Sequence, residues 1–159
     1  MEQIFLDIQQ WIAANVPEIL YTDFDDYQLE AYDMPPVQFP CALVSFPNIR
    51  YENRGHKTQE AKVTVNIRVA FLVHERPDNY TPDTWKQVAL QHWNILRKLG
   101  QLHGTRGDKY SALIRQSLTK EKRIDLQVYS LLFDTITIDA YLMPTSVAVA
   151  PALKINLIN

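Results

Sequence analysis

Cysteine is almost absent from this chain. The single thiol, Cys41, excludes an intrachain disulfide and leaves no cysteine pair for a zinc site, and it fits a reducing compartment. Cys41 lies in the apolar run CALVSF, which predicts a packed side chain, because a reactive thiol needs a polar, electropositive setting. Glycine is scarce as well. Gly100, Gly104 and Gly107 cluster, but no GK[ST] follows them and no buried strand precedes them, which excludes a phosphate-binding loop. No excess of one charge sign exists: a formal net charge of −2 excludes a basic whole-protein nucleic-acid binder. Long hydrophobic runs are missing too, since no segment approaches the roughly 18 consecutive apolar residues of a membrane span. The first residues carry Glu2 and Asp7 and lack the basic start of a secretory signal, so the expected location is a cytoplasm.

What is present is a long alternation. Every odd position from Ala61 to Val73 is apolar, and Lys62, Thr64, Asn66 and Arg68 stand between them. A period of two puts successive side chains on opposite faces, so Gln59 to Val73 reads as one strand with a core face and a wetter face. At about 3.3 Å per residue it spans roughly 50 Å, against the usual five or six residues of a strand. A strand this long tends to project, bend or meet a neighbour.

The rest of the chain arranges itself around that strand. Ile4, Phe5, Ile8, Trp11 and Ile12 recur at helical spacing, which predicts an amphipathic helix over 2–15 that Pro17 stops. Residues 20–40 are expected to be extended and irregular, an irregular strand before the hairpin, given Pro35, Pro36 and Pro40. Cys41 to Tyr51 reads as a strand, and Asn53 to His56 as the turn of a hairpin. Thr81 and Pro82 open a second helix to Leu99, with Trp85, Val88, Ala89, His92, Trp93 and Leu96 as its buried stripe. Ser111–Gln116 is a candidate short strand. Arg123–Leu142 returns to strand pattern, with a bulge or turn expected where the phase slips around Tyr129–Phe133. Strands joined by hairpins imply an α+β fold: a mostly antiparallel sheet with a long β-hairpin, packed on one face by two helices. Residues 1–142 form the expected single domain, and 143–159 an apolar C-terminal arm.

Chemistry is hard to find. His56, His74, His92 and His103 have no metal-ligand spacing, and His92 on the helix stripe reads as a core or boundary histidine. His103, Asp108 and Tyr110 in the glycine-rich loop are the residues of a possible small pocket, without a visible nucleophile. The acidic run TDFDDYQLEAYD lacks the glycine and closing glutamate of a calcium loop. That run contributes Asp23, Asp25, Asp26 and Glu30. Against it stands a basic stretch that includes Arg115, Lys120, Lys122 and Arg123. Three uses are open for this asymmetry: ordinary solvated surfaces, nucleic-acid binding by the basic stretch, or head-to-tail association of subunits.

The N-terminal helix MEQIFLDIQQWIAAN, the proline-flanked strand FPCALVSF, the long strand QEAKVTVNIRVAFLV, the helix TPDTWKQVALQHWNILRKLGQL and the late strand RIDLQVYSLLFDTITIDAYL give an order and texture. In that order and texture the chain resembles the tail-terminator, tail-completion and minor tail proteins of long-tailed bacteriophages and prophages. The resemblance spans most of residues 1–142 and rests on no invariant motif. It implies a non-enzymatic structural protein without a cofactor or metal, assembled in the bacterial host cytoplasm into a hexameric ring of the virion tail. Its implied partners are further copies of itself, the tail tube and the head connector, with no membrane; nucleic acid enters only as DNA passing through a ring lumen. Candidate subunit contacts are then Asp23, Asp25, Asp26, Glu30, Arg54, Lys57, Arg115, Lys120, Lys122 and Arg123. The alternatives are a ligand-binding or enzymatic pocket protein and a nucleic-acid-binding module.

Overall fold

A computed structural model describes residues 1–30, 35–55, 58–72, 82–123 and 126–139. Helix α1 (Glu2–Asn15) is followed by strands β1 (Tyr21–Phe24), β2 (Cys41–Gly55) and β3 (Thr58–Leu72). Helix α2 (Pro82–Leu99) then leads through a 3-10 turn, Gly100–Leu102, to β4 (Ile114–Lys120) and β5 (Leu126–Asp139). The five strands form one sheet in the order β1-β2-β3-β5-β4. Only the β1–β2 pair is parallel; the other three are antiparallel. This is the α+β fold that the hairpin pattern predicts.

One face of the sheet carries the main core. The odd residues Ala61, Val63, Val65, Ile67, Val69 and Phe71 of β3 are all buried there. Tyr129, Leu131 and Phe133 lie beside Val69, Ile67 and Val65, and Val44 lies beside Ile67 on the other flank. Helix α1 adds Ile4, Phe5, Ile8 and Ile12 to this core, and α2 adds Ile95, Leu96 and Leu99. Each such side chain gains about 1.5–3 kcal/mol from leaving water, which is why an amphipathic stripe becomes a docked helix. Phe5 of α1 stacks on Phe24 with ring centroids 3.8 Å apart. Lys98 of α2 pairs with Glu18, tying the segment after α1 to the second helix.

Several expectations need correction. The buried stripe of α2 is centred on Ile95, Leu96 and Leu99, and Trp93 is 53% exposed, its ring resting against Tyr129 at 5.9 Å. His92 is half-buried and stacks on Phe71 at 3.9 Å, so it is a boundary residue. Strand β5 pairs with β3 without interruption from Leu126 to Asp139, so no bulge interrupts it. The apparent phase slip arises because both faces of β5 are apolar: Tyr129, Leu131 and Phe133 face the main core, while Leu126 and Val128 join a second cluster on the far face. A bulge occurs instead in β4, between Arg115 and Ser117. The strand expected over Ser111–Gln116 runs later, whereas the irregular strand expected within 20–40 is present as β1. Strand β2 continues through Gly55, so Asn53–Gly55 of the expected turn belong to the strand; His56, the Thr81 cap and the C-terminal arm lie outside the described residues.

Candidate functional site

The far face of the sheet divides into a closed end and an open end. At the closed end the segment after β1 folds over the strands. Tyr27 adopts φ 59°, and Glu30 N–H donates to Tyr27 O at 3.0 Å. Gln28 braces the turn, donating to Phe24 O and accepting from Asp26 N–H, each at 2.7 Å. This places Leu29 over Cys41, Leu43, Ala70, Leu126 and Val128, a small second core. Burial pushes the Cys41 thiol up to about 11, so it is an unreactive packed group.

Beside that cluster lies Arg68, whose side chain is only 11% exposed. It projects from the far face of β3, between Leu43 of β2 and Ser130 of β5. Three carboxylates converge on it. Its Nε and Nη2 donate to the two oxygens of Glu121, each at 2.8 Å. Nη1 donates to Asp25 Oδ2 at 3.1 Å, and Nη2 to Glu30 Oε1 at 2.5 Å. Ser130 Oγ donates to Glu121 Oε1 at 2.9 Å. Arg123 completes the network, donating to Glu30 Oε1 at 3.1 Å and to Leu29 O at 2.8 Å. Burial opposes the charge on Arg68, but the three carboxylates outweigh it and hold its pKa above the ordinary value. The Arg68 guanidinium in turn holds the Glu121 carboxyl below the usual range, against its partial burial. The cation that this acidic cluster grips is therefore a side chain of the same molecule.

This node decides three of the candidate contacts. Asp25, Glu30 and Arg123 belong to the acidic and basic stretches that were expected to meet across subunits, and here they meet within one chain. The reason is topological: β1 and β4 sit at opposite edges of the sheet, yet the loops beside them both fold over its middle. The remaining candidates are dispersed. Asp23 accepts from Tyr21 Oη at 2.7 Å and from Phe24 N–H at 2.8 Å. Asp26 and Lys122 are exposed. Arg115 lies against Gly100, where an added Cβ would sit 2.5 Å from its Nη1. Lys120 stands 5.7 Å from the centre of the Tyr129 ring. Arg54 pairs with Glu60 at 2.8 Å, and Lys57 lies outside the described residues.

The pocket residues do not converge either. Arg115 N–H donates to the exposed His103 Nδ1 at 3.2 Å, and Asp108 faces solvent. Tyr110 is buried; burial and then the nearby Asp7 carboxylate push its phenol up to about 12. Among the described residues the basic stretch makes no single surface, because Arg115 and Lys120 stand opposite Phe133 and Tyr129 of the core face, whereas Arg123 turns to the far face.

The open end has a different character. Strand β1 covers β2 only from Cys41 to Val44. Among the described residues, no backbone group pairs with the outer edge of β2 from Asn48 to Gly55, while its inner edge is paired to β3 from Asn48 to Asn53 and again at Gly55. Pro47 and a register shift between Ser45 and Asn48 separate this stretch from the part that β1 covers. Beside it, the far face forms a shallow depression of about 420 Å³ lined by Asn48, Arg50, Lys62, Thr64, Ile114 and Asp134. Ile114 and Ile136 are 46% and 39% exposed here. The edge itself is the element that sequence reasoning underweighted. Its signal is the mismatch between a four-residue β1 and its fifteen-residue neighbour. Arg68 was visible only as a polar position in a strand.

Among the described residues no helix is long and apolar enough to cross a membrane. A comparison with known protein families finds no match, and neither does one with characterised proteins.

Proposed function

We propose that this protein is a non-enzymatic structural subunit that assembles head to tail into a ring, completing a phage or prophage tail by terminating its tube or joining it to the head connector. The observation that carries the reading is the edge of β2 from Asn48 to Gly55, which no backbone group covers among the described residues. A long free edge is a template for another strand, and single-chain proteins normally shorten or cover it. Here Pro47, the register shift and the charges of Arg50, Glu52 and Arg54 restrict which strand can add, without removing the edge. One edge used against a different surface of the next copy makes a heterologous contact, and such contacts close into rings when the rotation permits. The resemblance in element order supplies the tail setting and the hexamer.

Size-exclusion chromatography with light scattering, across protein and salt concentration, tests this. The expected result is a defined oligomer, six copies by the resemblance, that grows with protein concentration. A strict monomer at high concentration and low salt overturns the assembly reading.

A further inference from the structure

We propose that the uncovered edge of β2 receives the C-terminal segment of a neighbouring copy, with residues 153–157 adding as a strand beside Asn48–Arg54. This rests on the ring reading and names the contact that builds the ring.

The argument begins with where the chain leaves the sheet. Strand β5 runs towards the hairpin end and finishes at Asp139, opposite Gln59, which in turn lies opposite Asn53. Residues 140–159 therefore depart at the same end of the sheet as the open edge. Fully extended, they reach about 70 Å, enough to leave their own subunit. Within them Leu153, Ile155 and Leu157 alternate with Lys154 and Asn156, the period of a half-buried strand. The edge they meet has matching sides. Phe46 and Ile49 pack against the main core and Tyr51 extends that row, whereas Arg50 and Glu52 alternate with them. A strand laid there places three apolar side chains beside that row and satisfies the outward backbone groups of β2.

The same edge on the segment's own chain is a poorer partner when pairing begins as soon as the chain reaches that edge. A return to it crosses three strand spacings, roughly 14 Å, which the connector Ala140–Pro144 just spans. Thr145 then stands near Asn53, and an antiparallel run brings Leu153–Leu157 about level with Ser45–Cys41. There β1 already occupies the edge. A neighbour's segment carries no such register constraint. Each copy then donates one strand and accepts one, the heterologous pattern a closed ring requires.

The test uses full-length chains. Copies carrying Arg50→Cys and copies carrying Lys154→Cys are mixed and treated with a short thiol-to-thiol cross-linker; Cys41 is buried and does not compete. The expected products are Arg50→Cys/Lys154→Cys heterodimers, and a ladder of oligomers when both substitutions are on one chain. Cross-linked monomer alone from the doubly substituted chain overturns the proposal, because the segment then returns to its own sheet. A second variant, Ile155→Asp with Leu157→Asp, is expected to weaken association at least tenfold with an unchanged thermal melt. An intact oligomer in that variant, without heterodimer cross-links, also overturns the proposal but leaves the ring reading standing. Wild-type chains that never associate overturn both.

Discussion

Strands β2, β3 and β5 run the length of the molecule, yet the two ends of their far face treat charge in opposite ways. At the closed end Arg68 is 11% exposed and holds Asp25 and Glu121, themselves 10% and 28% exposed, beside a dry cluster of Leu29, Leu43 and Val128. At the open end Arg54 is 58% exposed as it pairs with Glu60, and Lys62 is 52% exposed as it pairs with Glu52. The chemistry of the groups is the same and hydration differs. Around Arg68 the charges are committed to each other, because separating them strands ions in poor solvent. Around Arg54 either partner can turn to water or to another molecule at little cost. The closed end holds the chain's own loops, and at the open end the paired charges stay in water.

Arg68→Met should break the closed end most severely. It leaves Asp25, Glu30 and Glu121 facing one another with only Arg123 to offset them, and removing one partner of a buried pair costs about 3–5 kcal/mol. Urea unfolding at pH 7 measures this. Its pH dependence sharpens the assignment. Glu121 has a lowered pKa in the fold, so its contribution is complete above the unfolded carboxylate value of about 4.3 and is lost as pH falls through the lower folded value. The wild-type protein should therefore lose stability steeply below about pH 4, the variant less steeply, and the gap between them should narrow in acid. A gap that stays constant with pH means the network is not what stabilises this end.

The core face over the open end offers an intermediate test. There the loop before β4 is stitched to β5: Thr135 Oγ1 donates to Ser111 O at 2.7 Å, and Thr137 Oγ1 to Lys109 O at 2.6 Å. Gly107 is wedged between elements, since an added Cβ would lie 2.3 Å from Tyr110 Cε1 and 2.7 Å from Asp7 Oδ2. Gly107→Ala should destabilise the protein by about 1–3 kcal/mol through overpacking, with a lower thermal midpoint as the readout. An unchanged midpoint means that this cover is loose and that both faces of the end are open.

The sequence made the local elements legible and hid the pairings between distant ones. Helix α1 and strand β3 were readable because their patterns are strict and Pro17 marks a boundary. The continuous β5 looked broken because Val128 and Tyr129 are both buried on opposite faces, which erases the alternation used to recognise a strand. Strand β1 was legible only as an irregular strand somewhere within 20–40, because four residues carry no period of their own; the pairing with Cys41–Val44 is what places it. Arg68 stood in plain view as the polar partner of an alternation. That it is a hub depends on Asp25 and Glu121, which are 43 and 53 residues away in the chain. The open edge was hidden for a related reason: a strand's own residues do not say whether a neighbour covers it.

The smallest expected effect completes the contrast. Arg54→Ala removes an exposed guanidinium whose charge is favoured by its hydrogen bond to Glu60. Water hydrates both partners already, and ions screen them, so the loss leaves the unfolding midpoint unchanged. Arg54 nevertheless flanks the edge where a second chain is proposed to add, so the same variant should shift the concentration dependence of self-association, and added salt should shrink that shift. Equal loss of stability in Arg54→Ala and Arg68→Met would erase the distinction between the two ends. A stable variant with altered association would place the function of this surface outside the single chain, because a group that contributes nothing to its own fold can change assembly only through a partner.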